Sequence, residues 1–185
     1  NVMILADDAD PDDPWFAECA RFVSDGLNAC GYVYCPGDMM ATNPRWRQPL
    51  EVWQGYFRGW IERPSPEAQM LASVMFDLRA IAGEADLLRA LQAETLSAAG
   101  RNSIFVAHMI ANSLKHRPPL GLIGGFATIR SGEHRNQIDM KMNGVVPVTD
   151  LGRVYALQAG LVPVNTRARL VAAGEAGAIS ASGAR

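Results

Sequence analysis

Three cysteines and three histidines are few for a chain of 185 residues. Cys19, Cys30 and Cys35 show no metal-ligand spacing, and their odd number fits no closed disulfide set. They are expected to be reduced core thiols, which suits a cytoplasmic protein. Charge is also scarce. Charged residues make up 19% of the chain and the net charge is −2, which gives no basis for general electrostatic capture of nucleic acid or an anionic membrane. Long apolar runs are missing too. Gly121 to Ile129 is about half of what a membrane span needs. The start lacks the basic stretch and apolar core of a signal peptide.

What the chain does have is 49% hydrophobic residues, enough for one good core or two small ones. Asn1 to Ala6 reads as a strand without a lead-in, and the tail from Gly177 stops without completing an element. The ends look like those of a piece cut from a longer protein. After the first strand comes an acidic turn from Asp7 to Asp13. Asp13 is a good N-cap with Pro14 at the first helical position, and Phe16, Cys19, Val23 and Leu27 recur at helical spacing up to Gly31. Tyr32 to Cys35 reads as a short strand. Asn43-Pro44 and Pro49 start two helical stretches, and Glu67 to Leu71 is a helical turn. Ser73 to Ile81 reads as a third strand.

That third strand carries the most informative residue. Alternation puts Val74, Phe76, Leu78 and Ala80 on one face and Met75, Asp77, Arg79 and Ile81 on the other. A carboxylate in a buried strand costs several kcal/mol unless it is paired or holds a metal. Asp77 therefore either pairs with a neighbour such as Arg79 or belongs to a site.

From Gly83 the pattern changes to helices: Ala85 to Ala98 with Gly100 as stop, then Ser103 to Lys115 with Ser103 as cap. The Pro118-Pro119 and glycine-rich stretch is irregular, and Ile138 to Met142 reads as a short extended piece. Thr149 caps a helix that stops at Gly160, and Asn165 or Thr166 caps a last helix through Ala173. The expected fold class is an α/β region of mixed sheet and helices over residues 1–82, followed by a mostly helical domain over 83–185.

Other motifs fall short of a site. Asp8, Asp10 and Asp12 open like a calcium loop, but Asp13 replaces its glycine and Cys19 its bidentate glutamate. His108 reads as a half-buried helical histidine, and His116 and His134 are isolated. The glycines near 121–125 lack the lysine of a phosphate loop. Arg45, Arg47, Arg58 and Arg63 either meet phosphates or form a solvated face. Lys141, Asp150 and Arg153 either line a polar pocket or pair with one another.

Six stretches in order carry a resemblance: Asn1 to Asp8, Tyr34 to Ala41, Asn43 to Arg47, Met75 to Gly83, His116 to Gly121, and Gly144 to Asp150 with Arg153, Ala156 and Leu157. Together they resemble the bacterial nucleotidyltransferases similar to the PII-uridylyltransferase. That family lies within the DNA polymerase β-like superfamily and is often fused to cyclic-nucleotide-binding and CBS domains. The resemblance implies that residues 1–82 are the later part of a nucleotidyltransferase palm. It makes 83–185 a helical substrate-binding domain. The phosphate-holding Gly-Ser segment and the D-x-D pair of the family would precede Asn1. Asp77 would be the third carboxylate, catalytic and a ligand of Mg2+ in the full-length protein. Arg79, Lys141, Asp150 and Arg153 would bind substrate. The implied partners are a nucleoside triphosphate and an unknown acceptor, a protein among the candidates, with a homodimer as an open assembly and no nucleic acid or membrane. The implied setting is signal transduction. These 185 residues alone would be inactive and would hold no metal. A regulatory or interaction module with a degenerate site is the alternative.

Overall fold

Asp13 and Pro14 open the first helix as their chemistry dictates. The Asp13 carboxylate accepts from Trp15 N at 2.9 Å, and Pro14 occupies the position where a missing N–H costs nothing. The computed structural model describes residues 1–116, 118–121 and 125–184, and residues 122–124 of the glycine-rich stretch lie outside them. The described chain runs β1 (Met3–Leu5), α1 (Pro14–Ala29), a 3₁₀ turn (Pro44–Trp46), β2 (Arg47–Pro49) and α2 (Leu50–Glu62). Then follow α3 (Pro66–Met75), α4 (Ala85–Arg101), α5 (Ser103–Ser113), a π-helical turn (Lys141–Val145), α6 (Val146–Gln158) and α7 (Thr166–Glu175). An α/β start followed by a helical region is the fold class expected from the sequence.

The backbone forms two compact units, one of residues 1–58 and 80–94, the other of 59–79 and 95–185. In the first, β1 and β2 pair in parallel, with Met3 opposite Arg47, Ile4 opposite Gln48 and Leu5 opposite Pro49. A parallel pair needs a crossover, and α1 lies within it. The core holds Leu5, Trp46, Trp53 and Phe57, with Trp46 and Trp53 ring centroids 5.9 Å apart. Trp53 is fully buried, and its indole N–H donates to Met3 O at 3.0 Å, so the one polar atom of the ring is satisfied by β1. Asp7, just past β1, accepts from Glu51 N at 2.8 Å and satisfies an orphan donor at the start of α2. The Tyr34 hydroxyl donates to Asp25 Oδ1 at 2.8 Å, and that hydrogen bond holds the phenol above its ordinary pKa.

In the second unit, α5 packs on α3 and α6, and α6 packs on α7. Phe105 of α5 is fully buried beside Phe76, at a centroid distance of 6.2 Å. Ser65 caps α3 through Ala68 N, and Asn165 caps α7 through Ala168 N. Helix α6 ends at Gly160 with φ +64°, where Gly160 N donates to Leu157 O and Leu161 N to Ala156 O. Helix α1 ends the same way at Gly31, φ +94°, with Gly31 N to Asn28 O and Tyr32 N to Leu27 O. Both are Schellman closures that need a left-handed residue.

Several expectations are corrected. Residues 73–81 are no strand: Ser73 to Met75 finish α3 and Phe76-Asp77 turn away from it. The buried residues Ala68, Leu71, Ala72 and Met75 follow a helical period, while Val74 is half exposed. Tyr32 to Cys35 forms no strand, and Tyr32 and Val33 are exposed. Ile138 to Met142 is not extended but leads into the π turn, where Asp139 Oδ1 accepts from Met142 N at 2.9 Å. Thr149 is no cap; it lies inside α6 and its hydroxyl donates to Val145 O. Asn102 rather than Ser103 caps α5, accepting from Phe105 N, while its Nδ2 donates to Ile61 O. Gly100 does not stop α4, which continues to Arg101. All three cysteines are free, but Cys30 is exposed and Cys19 and Cys35 are only partly covered, so they are not core residues. His108 is exposed rather than half-buried.

Replacing Trp53 with alanine leaves a large cavity and an orphaned Met3 carbonyl. Trp53→Ala is expected to cost about 3–5 kcal/mol of stability in urea denaturation, whereas Asp13→Ala costs only about 1 kcal/mol through its lost cap.

Candidate functional site

Asp77 emerges one residue past the C-cap of α3, where its N–H still bonds to Val74 O at 3.2 Å. Two arginines from later helices close on its carboxylate. Arg153 of α6 donates from Nη2 to Oδ2 at 2.6 Å and from Nε to Oδ1 at 3.3 Å. That is the two-pronged fork for which guanidinium geometry is suited. Arg169 of α7 donates from Nη1 to Oδ1 at 2.5 Å. Its other nitrogens are also used: Nη2 donates to Phe76 O at 2.9 Å and Nε to Pro163 O at 2.7 Å. Asp150, one helical turn before Arg153, accepts from Arg153 Nη1 at 2.7 Å.

Two cations and two anions therefore cancel. The arginine side chains are 8% and 4% exposed, while those of Asp77 and Asp150 are 35% and 17% exposed. Buried charges of this kind are tolerated when paired and fully hydrogen-bonded, and removing one partner is costly. The arrangement ties the end of α3 to α6 and α7.

The structure thus brings together Asp77, Asp150 and Arg153 of the residues singled out in the sequence. Asp77 is not paired with Arg79, as a shared strand face would have it. Arg79 is exposed, Lys141 is exposed at the start of the π turn, and neither makes an ion pair among the described residues. Arg169 was missed. Its only sequence signal is its place one turn before Ala173, with which it shares the buried side of α7.

A magnesium ion does not fit this arrangement. Three donor contacts from two guanidiniums already occupy the Asp77 carboxylate, and a third cation there would face both positive charges. Among the described residues no three of His, Cys, Asp and Glu group closely enough to hold a metal. The acidic turn is likewise spent on local structure, with Asp7 and Asp13 capping helices and Asp10 accepting from Asp12 N at 3.0 Å.

Two family models match the chain. Residues 1–67 match "Putative nucleotidyltransferase DUF294", and residues 103–185 match "Putative nucleotidyltransferase substrate binding domain". Both matches are to domains described as those of putative nucleotidyltransferases, and together they support that family for the chain. Asp150, Arg153 and Arg169 fall within the match to the family's substrate-binding domain, and Asp77 falls between the two matches. No curated protein and no solved structure matches the chain significantly. Among the described residues, no helix is long and apolar enough to cross a membrane.

Asp77→Ala leaves the buried Arg169 guanidinium without a counter-ion and Arg153 with Asp150 alone. It is expected to cost about 3 kcal/mol in urea denaturation, the lower end for a broken buried pair because Asp77 keeps some contact with water. Arg79→Ala should stay within about 0.5 kcal/mol of the parent. Equal effects of the two changes would contradict the assignment of the ion pairs.

Proposed function

We propose that this chain serves a nucleotidyltransferase that moves a nucleoside monophosphate from a nucleoside triphosphate to a hydroxyl acceptor. The observation that carries this reading is the ordered pair of family matches, a nucleotidyltransferase segment at 1–67 and its substrate-binding partner at 103–185. In the reaction, the acceptor oxygen attacks the α-phosphorus and a new P–O bond forms. The bond between the α-phosphorus and the bridging oxygen breaks, pyrophosphate leaves, and the hydroxyl proton passes to a base. The proposed acceptor is a protein tyrosine or another hydroxyl, as in a PII-uridylyltransferase-like enzyme of signal transduction.

On this reading the 185 residues transfer no nucleotide on their own. Asp77 would have to leave both arginines before it could act on a metal, and among the described residues no three of His, Cys, Asp and Glu form a group that could hold one. The helical unit, with Arg79 and Lys141 exposed, serves to bind or position the acceptor, and the Asp77 network keeps that surface in shape.

Incubation with magnesium and α-labelled UTP or ATP tests the first claim. No label should pass to the chain or to added acceptors, and pyrophosphate should not accumulate. Label transfer dependent on the 185 residues would overturn the claim that they are inactive alone.

A further inference from the structure

Arg47 is the contrast to Arg153 and Arg169. It stands at the start of β2, opposite Met3, and only 6% of its surface is exposed. Its Nη1 donates to Ala41 O at 2.6 Å. Its Nε is fully buried and has no hydrogen-bond partner, the one such side-chain atom among the described residues. Arg47 makes no ion pair among the described residues either. A guanidinium keeps its charge inside a protein, and a buried charge without a counter-ion is among the costliest features a fold can carry. The two arginines of the helical unit each have a carboxylate; this one has a carbonyl.

Ala41 N donates to Asn1 O at 3.0 Å, which places the start of β1 beside the residue Arg47 holds. The Asn1 side chain in turn bonds to the buried Ser24 hydroxyl at 3.2 Å. Arg45, two residues before Arg47, lies over the Trp46 ring at 4.7 Å. With Nη1 engaged and Nε enclosed, Nη2 is the donor that an incoming anion would meet.

We infer that Arg47 is the binding residue of an anion site that takes a phosphate group, and that the polyphosphate of a nucleoside triphosphate is its ligand. The permanent charge of the guanidinium and the N–H groups of Nη2 suit phosphate oxygens. The choice of a nucleotide rests on the transferase reading above; the anion site itself does not.

The test is calorimetric and thermal titration of the 185-residue chain with sodium tripolyphosphate, ATP and AMP, with sodium chloride at matched ionic strength as reference. Tripolyphosphate and ATP should bind. At about ten times the dissociation constant each should raise Tm by about 4 °C, with AMP weaker. Arg47→Met removes the uncompensated charge while keeping the apolar stem. It should leave the ligand-free Tm within about 2 °C of the parent and weaken tripolyphosphate binding at least tenfold. If Arg47→Met does not fold, Arg47→Lys decides, because an ammonium that lacks both the Ala41-anchored plane and Nη2 should bind at least threefold more weakly. Absence of tripolyphosphate binding by the parent chain, or unchanged affinity in the folded variant, would overturn the site. Tripolyphosphate binding that depends on Arg47, with ATP excluded, would keep the anion site and reject the nucleotide. No step of the test requires transfer activity.

Discussion

One carboxylate shared by two buried guanidiniums fixes the arrangement of the helical unit. Asp77 lies past the end of α3, Arg153 comes from α6 and Arg169 from α7. Neither arginine is easily tolerated alone in its nearly dry setting, because each charge would lose its hydration without compensation, and Asp77 supplies it from a position that keeps some contact with water. Together with Asp150 they carry no net charge. Arg169 adds two backbone carbonyls, Phe76 O and Pro163 O, so the same side chain binds both the chain leaving α3 and the chain entering α7. The apolar packing around Phe105, Met109 and Leu157 supplies most of the burial, but it is non-directional. The ion pairs are what select one placement of the α3 end.

The α/β unit solves its polar problems differently. Its parallel pair is short, and its stability comes from Trp46, Trp53 and Phe57 beneath it. Polar groups there are matched one by one: the Trp53 indole with Met3 O, the Asp7 carboxylate with the start of α2, and Asp13 with the start of α1. Arg47 is the exception, and a fold that matches so many of its donors rarely leaves a buried one orphaned without cause.

What could be read from the sequence was what depends on neighbours in the chain. Asp13-Pro14, Gly31, Gly160 and Asn165 act within one helical turn of themselves, and the structure uses all four as expected. The stretch around Asp77 was misread because a short apolar run fits a strand as well as a buried helix end. The register of Ala68, Leu71, Ala72 and Met75 decides it, and Ser65-Pro66 starts that helix earlier than the apolar run suggests. Tyr32 to Cys35 has the aromatic content of a strand, but strands also need a partner to pair with. The site was half legible. Asp150 and Arg153 lie three apart on one helix, and their pairing follows from spacing. The partnership of Asp77 with Arg169 spans 92 residues and leaves no local mark.

The family matches place nucleotidyltransferase chemistry in view, while the geometry assigns Asp77 a holding role within these residues. That assignment is the centre of the account. A double-mutant cycle in urea between Asp77→Ala and Arg169→Met tests it most directly. If the carboxylate is shared as described, the double variant should be less destabilised than the sum of the single ones, with a coupling energy of about 2 kcal/mol. Additive effects, with coupling near zero, would mean that Asp77 and Arg169 do not sustain one another and would contradict it.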